Sequence, residues 1–385
     1  MSVRSFLPVL PTVLLFAGFS AVEVCAAQST VDILYIQQNA SILTYNVNRK
    51  TLQAAPVGQA LAAPGGAAFV RVFPAPNGHF LYILSQTQPS GEQTLSVYAT
   101  DEVGVPQTPP VQTLGPAAIS SFALDPNERF AYLFTEHTNA KSESTYDLKL
   151  YAVNSKNGKL QSPQVEATYS ENSYCGPSFN TFSPGGNRLF DEVACEYPDS
   201  SSIIYYARAV DPETGQLGPD VQFFAVNDAF GSNADEVTIT PNTIIDFQQQ
   251  FSPFQESLVV YPLERNPKTP LINCTSSMLA ACGEAGSYLA DPLGKYLVME
   301  LGSNSEIVRI DLASQQIVDT GSTIPTTQQP FFSPDDRLLY GLSYDLQGDA
   351  TIQIYGFDRE SGQLTTGGQI SVAPTLWNVL PAVRE

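Results

Sequence analysis

Pro76–Leu84 reads PNGHFLYIL, and Leu95–Val105, a few residues on, reads LSVYATDEVGV. In the first phrase a Pro-Asn-Gly turn feeds an apolar, aromatic-rich strand. In the second an alternating strand runs into a turn that ends in Gly, the pattern of a hairpin. Both phrases recur. The first returns as PNERFAYLF from Pro126, PGGNRLFDEV from Pro184, PNTIIDF from Pro241, PLGKYLVME from Pro292 and PDDRLLYGL from Pro334, at intervals of 50, 58, 57, 51 and 42 residues. The second returns as LKLYAVNSKNGKL from Leu148, IIYYARAVDPETGQL from Ile203 and IQIYGFDRESGQL from Ile352. Shorter versions start at Ser257 (SLVVYPLERNP) and Ile307 (IVRIDLASQQIV). Each unit is therefore about four antiparallel strands, the pattern of a propeller blade.

Six units carry the Pro-turn, and a seventh is divided between the chain ends. DILYIQQNASILTYNV, residues 32–47, lacks a preceding inner strand, and TLWNVLP, residues 375–381, resembles SFNTFSP at 178–184 and can supply it. The expectation is an all-β, seven-bladed propeller of four-stranded antiparallel blades, its ring closed by the C-terminal strand joining the N-terminal blade. Closure of this kind removes the free edges of an open array.

Composition agrees. Hydrophobic residues are 43% of the 385, charged residues only 15%, and Tyr (18) and Phe (21) far outnumber Met (3). Helical bundles need more Ala, Glu, Lys and Leu than this. Lys plus Arg is 18 against 38 Asp plus Glu, a net charge of −20. With no basic cluster, that balance excludes a nucleic-acid partner and disfavours anionic lipid.

Residues 1–27 read as a signal peptide: Arg4, an apolar run from Phe6 to Phe19 broken by Pro8 and Pro11, then Cys25-Ala26-Ala27 before Gln28. The run is too short for a membrane span, and Val22-Glu23-Val24 before Cys25 matches a lipobox poorly. The expectation is an exported, periplasmic or extracellular monomer with one domain at 28–385. Four cysteines follow the leader, Cys175, Cys195, Cys274 and Cys282. In an exported chain these read as two disulfides, and sequential pairing, 175 with 195 and 274 with 282, needs only local loops. A zinc site would need a close Cys-x-x-Cys pair or more histidine than His79 and His137.

The paired turn phrases resemble the lactonase-type seven-bladed β-propeller family, which includes bacterial 6-phosphogluconolactonase and fungal carboxymuconate cyclase. GSNSEIVRIDLASQQIV from Gly302 is also similar to YVTN-type propeller repeats. The resemblance implies a Gly-Pro-Arg-His motif before one Pro-turn and a Glu near the end of the next strand. Here Gly176-Pro177 match, Ser178 and Phe179 stand where Arg and His would be, and Glu192 or Glu196 falls near the acidic position. An Arg stabilises a carboxylate or oxyanion and a His moves protons, and neither Ser nor Phe does so.

His137, beside Glu136 where a strand meets a loop, is the substitute candidate for a general base, with Glu136, Glu192 or Glu196 assisting. Arg208 and Arg309 are the candidate ligand-binding cations, and His79 reads as turn chemistry. The acidic stretch Asn227, Asp228, Asn233, Asp235 and Glu236 lacks EF-hand spacing, so no metal and no cofactor is expected. No Gly-x-Ser-x-Gly elbow or phosphate loop occurs. The functional expectation is a binding or scaffold propeller for a small molecule, glycan or protein. The alternative is a lactone hydrolase with displaced catalytic groups.

Overall fold

The computed structural model describes residues 31–384 apart from 39, 88–89, 139–143, 171–174, 184, 198–199, 220, 230–232, 252–253, 265–266, 276, 302–303, 326–327, 346–347 and 373–375. The expected leader lies outside these residues. The described chain is almost wholly β, with one 3-10 turn at Pro64–Gly66 and one helical turn at Ala281–Glu284. No described helix is long and apolar enough to cross a membrane.

The strands form six antiparallel sheets. Four of them, at residues 175–229, 233–275, 285–325 and 329–372, have four strands each in chain order. A seven-stranded sheet covers 68–170 because one long strand, Gln112–Leu124, serves two neighbours. Its first half pairs with Gln93–Ala99 and its second half with Phe130–Thr138. The remaining sheet has the order Leu376–Arg384, Val31–Gln38, Ser41–Asn48, Gln53–Ala62. The last strand of the chain thus lies beside the first, with Val31 opposite Arg384 and Ile36 opposite Val379. This is the pairing expected for TLWNVLP, extended by three residues at its C-terminal end.

Apolar residues on the two faces of each sheet pack against the sheets on either side. Phe190 and Tyr205 meet Ile244 of the next sheet, Ile245 and Val260 meet Leu297 and Val308, and Tyr296 and Val298 meet Leu339 and Tyr355. Across the chain ends, Leu34 and Val47 pack on Tyr340 and Ile352, while Ile33 and Tyr35 pack on Phe69 and Leu81. Each large side chain so buried contributes about 1.5–3 kcal/mol.

A hydrogen bond repeats on this framework. A Tyr in the second strand of a unit donates its hydroxyl to a carbonyl in the Gly-bearing turn of the next unit. Tyr35 reaches Gly104 O at 2.8 Å, Tyr82 reaches Gly158 O at 3.0 Å, and Tyr132 reaches Gly215 O. Tyr296 bonds Arg359 O, in the corresponding turn, at 3.1 Å. The Gly is required by space as well as by backbone. At Gly158, φ is +69° and a Cβ would lie 2.6 Å from the Phe80 ring, and at Gly215 the nearest Phe130 carbon would be 2.5 Å away.

The Cys274–Cys282 disulfide ties the helical turn to the strand Ile272–Thr275, with Cα atoms 5.6 Å apart, as expected. Cys175 and Cys195 stand directly opposite each other in an antiparallel pair. Their side chains lie outside the described residues.

Candidate functional site

The Pro-turns explain where chemistry collects. Except at Ala75, the residue before each Pro caps its turn. Asp291 Oδ1 accepts from the Lys295 and Tyr296 N–H groups at 2.6 and 2.7 Å, and Ser333 Oγ accepts from those of Arg337 and Leu338 at 3.1 and 3.0 Å. Two residues after the Pro, in every turn but that of Pro241, the backbone is left-handed, with φ of +69° at Gly78, +67° at Gly186 and Gly294, and +53° at Glu128 and Asp336. This position faces the capping residue of the preceding unit. A Cβ on Gly186 would fall 2.3 Å from Asp125 Oδ1, and one on Gly294 2.5 Å from Thr240. Where the residue is not Gly, its side chain reaches the turn before it. Glu128 accepts from the Asn77 N–H at 2.6 Å and from Asn77 Nδ2 at 2.5 Å. Asp336 meets Asp291.

Two acids therefore share one buried junction between the 285–325 and 329–372 sheets. Asp291 is 3% exposed and Asp336 1%. Neither Asp336 carboxyl oxygen finds a donor among the described residues. Asp291 is itself a carboxyl, so the two can hydrogen-bond only when one holds a proton. Burial, and then the charge of Asp291, push Asp336 up to about 7. Burial raises Asp291 as well, against the backbone N–H groups that favour its charged form.

The pair opens on a cavity of about 60 Å³ lined also by Lys295, Tyr296, Phe357 and Arg359. The turn carrying Arg359 and Glu360 divides it from a groove of about 680 Å³, where Arg359 and Glu360 are joined by Arg49, Arg337, Asp358, Leu52 and Phe357. Arg49 is committed elsewhere. It binds the buried Asp32 carboxylate and reaches Asp335 at 2.7 Å, clasping the first strand to the last Pro-turn. Arg337 lies 3.5 Å from Asp335. Lys295 Nζ donates to Arg359 O at 2.8 Å and sits 3.9 Å from Glu360. The Arg359 guanidinium makes no hydrogen bond or ion pair among the described residues. In a chain of net charge −20, four basic side chains thus gather among Asp335, Asp358 and Glu360, beside a buried carboxyl whose pKa is raised.

Among the residues singled out from sequence, His137, Glu136, Arg208 and Arg309 are not part of this groove or cavity. His137 lies near the end of Phe130–Thr138, opposite the Pro-turn end, half exposed with Nδ1 3.9 Å from Asp147. Glu136 precedes it in the strand and is partly buried. The side chains of Glu192 and Glu196, of Ser178 and Phe179, and of the stretch Asn227 to Glu236 lie outside the described residues. Arg208 is buried in the strand Ser200–Ala209, opposite Leu189. Arg309 stands opposite Tyr296, 3.6 Å from Asp311.

His79 behaves as turn chemistry: its N–H donates to Asn77 Oδ1 at 2.7 Å, and burial, then the nearby Arg384, lower its pKa. No group of three or more His, Cys, Asp or Glu placed to hold a metal occurs among the described residues. In sequence PDDR reads only as a turn. The signal for the acid pair is an Asp two residues after Pro334, where three other turns have Gly, one unit on from the Asp before Pro292.

No protein-family model matches the chain, and no curated protein matches it in sequence. Solved structures do. A candidate 6-phosphogluconolactonase from Bacteroides uniformis is 18% identical over 92% of this chain and 99% of its own, with a TM-score of 0.56. A protein from Lactobacillus plantarum is 14% identical over 92% and 100%, with a TM-score of 0.58. Prolyl oligopeptidase B from Galerina marginata is 11% identical over 88% of this chain but 49% of its own, with a TM-score of 0.56. The architecture resembles that of lactonase-like propellers from end to end. Since the same fold also occurs in a peptidase, it fixes no activity.

Proposed function

We propose that this chain is an exported, monomeric seven-bladed propeller, residues 28–385, that binds a small anionic molecule in the groove between its last and first sheets. Counting the long strand Gln112–Leu124 twice makes seven four-stranded units, and the packing of the last sheet on the first supports a closed ring. The observation that carries the binding reading is the groove itself. Its volume suits a small ligand, and it gathers Arg49, Arg337 and Arg359 against Asp358 and Glu360, with the Arg359 guanidinium free of hydrogen bonds and ion pairs among the described residues. The test is a binding titration with acetate and with inorganic phosphate, read by calorimetry on wild type and Arg359→Ala. Saturable binding of at least one anion that weakens about tenfold or more in the variant supports the reading. Absence of any saturable anion binding overturns it.

Lactone hydrolysis is the second reading, favoured by the end-to-end overlap with the Bacteroides protein. Against turnover of a phosphorylated sugar lactone stand Ser178 and Phe179 at the positions of the expected Arg and His. Neutral lactones, assayed with wild type and His137→Ala, address the remainder. Robust hydrolysis of 6-phosphogluconolactone above the spontaneous rate would reverse the order of the two readings.

A further inference from the structure

The groove and the 60 Å³ cavity share the Arg359–Glu360 turn and Phe357. The two spaces offer different chemistry on either side of one guanidinium. On the groove side three arginines, Arg49, Arg337 and Arg359, outnumber two acids, Asp358 and Glu360, beside an apolar lining of Leu52, Leu338 and Phe357. On the cavity side is Asp336, almost wholly buried and without a donor for either oxygen among the described residues. A cavity of that size has room for water or for a hydroxyl group of a ligand.

Building on the proposed anion binding, we infer that the two spaces form one composite site for an acidic sugar, whose carboxylate binds Arg359 and Arg337 while a ring hydroxyl enters the cavity and hydrogen-bonds Asp336. Each part of that ligand answers a feature of the two spaces. A carboxylate is the planar acceptor that a guanidinium fork binds in two places. The CH face of a pyranose suits an apolar lining edged by polar groups. A hydroxyl both donates and accepts, so it satisfies the Asp336 carboxyl in either protonation state. The dyad rules out some alternatives. A dianion pushed into the cavity would meet two carboxyls, and an apolar ligand would leave Asp336 without a partner. An ammonium group would suit the pair but would face Lys295 and Arg359 across the same small space.

The experiment compares D-galacturonate, D-galactose and acetate by calorimetry at pH 6, on wild type, Arg359→Ala, Asp336→Asn and Asp336→Gly. Both residues replacing Asp336 tolerate its left-handed backbone, so folding is expected to survive, and a thermal melt of each variant checks it. Galacturonate should bind at least about tenfold tighter than galactose or acetate, the worth of one charge-assisted hydrogen bond. Arg359→Ala should remove most of that advantage over galactose. Asp336→Gly should weaken galacturonate severalfold more than acetate, because acetate has no hydroxyl for the cavity. Asp336→Asn, which keeps a hydrogen-bonding group there, should lie between wild type and Asp336→Gly. Acetate binding that depends on Arg359, with no preference for galacturonate, would overturn the acidic-sugar site and leave the anion reading standing. Galacturonate binding indifferent to both Asp336 substitutions would overturn the composite site, and failure of every anion to bind would remove both.

Discussion

Asp336 is the residue whose environment makes the sharpest demand. Burial, then Asp291 and Asp335, raise its pKa, Arg359 opposes them, and Lys295, Tyr296 and Glu360 line the same cavity. In the folded protein it holds its proton up to about pH 7, against an ordinary aspartate value of 3.8. Between those values the folded state binds more protons than the unfolded chain, so the sign is fixed. The stability this group contributes is complete below about pH 3.8 and is lost as pH rises through 7, a loss of at most about 4 kcal/mol. Asp336→Asn should remove the loss. The variant should melt higher than wild type at pH 8 and no higher at pH 4, as read by calorimetric scans at both values. Equal melting shifts at the two pH values would contradict the buried acid pair. Asp246, pushed up to about 6 chiefly by burial, retains its own pH dependence in both proteins and drops out of the difference.

At the scale of elements, the units are held together by Tyr-to-turn hydrogen bonds and by glycines tucked against the aromatic ring before them. Gly158→Ala forces a Cβ to within 2.6 Å of Phe80 at a positive φ. We expect it to cost about 1–3 kcal/mol, measured as a fall in the urea midpoint. Gly91→Ala is the control. Its φ is also positive, but the nearest atom to its Cβ is a Gln86 side-chain nitrogen at 3.6 Å, so it should cost less. Replacing Cys274 and Cys282 together with Ser should cost about 2–3 kcal/mol through the reopened short loop, besides placing two hydroxyls where both cysteines are buried.

These elements were largely legible in the sequence. Turn phrases and two-residue alternation are local, so PNGHFLYIL and its copies announced their hairpins, and the even cysteine count announced the Cys274–Cys282 bridge. The candidate site was not legible, because it arises between units. Asp291 and Asp336 are ordinary turn residues when each is read alone. Only the register of one unit on the next, in which the left-handed position of one turn faces the cap of the turn before, makes them a pair. Arg359 likewise reads as one charge in DRESG until two cavities are seen to meet at its turn.

For the whole molecule, the chain ends carry the argument. Leu376–Arg384 is the sole described partner of one edge of Val31–Gln38, and it buries Val379, Ala382 and Val383. Removing it would uncover Ile33, Leu34, Tyr35 and Ile36, all fully buried, and would leave an unpaired strand edge. Each of those side chains is worth about 1.5–3 kcal/mol when buried, so the loss is comparable to a typical folding free energy of about 5–15 kcal/mol. Deletion of 376–385 should therefore abolish the cooperative melt. A circular permutant separates two explanations of that loss. Val31 stands opposite Arg384, as strand partners do at a hairpin end. Elsewhere such partners are joined by a short Pro-turn, such as the one between Ala68–Pro74 and Phe80–Gln86. Joining 384 to 31 through such a turn and opening the chain at 373–375 keeps every strand but moves the break to a junction between sheets. If strand pairing is what matters, the permutant should melt cooperatively while the deletion does not. A deletion variant that melts like wild type would show that the last strand is dispensable. A permutant as unfolded as the deletion would show that covalent continuity from 372 to 376, rather than the pairing of the last strand with the first, holds the molecule together.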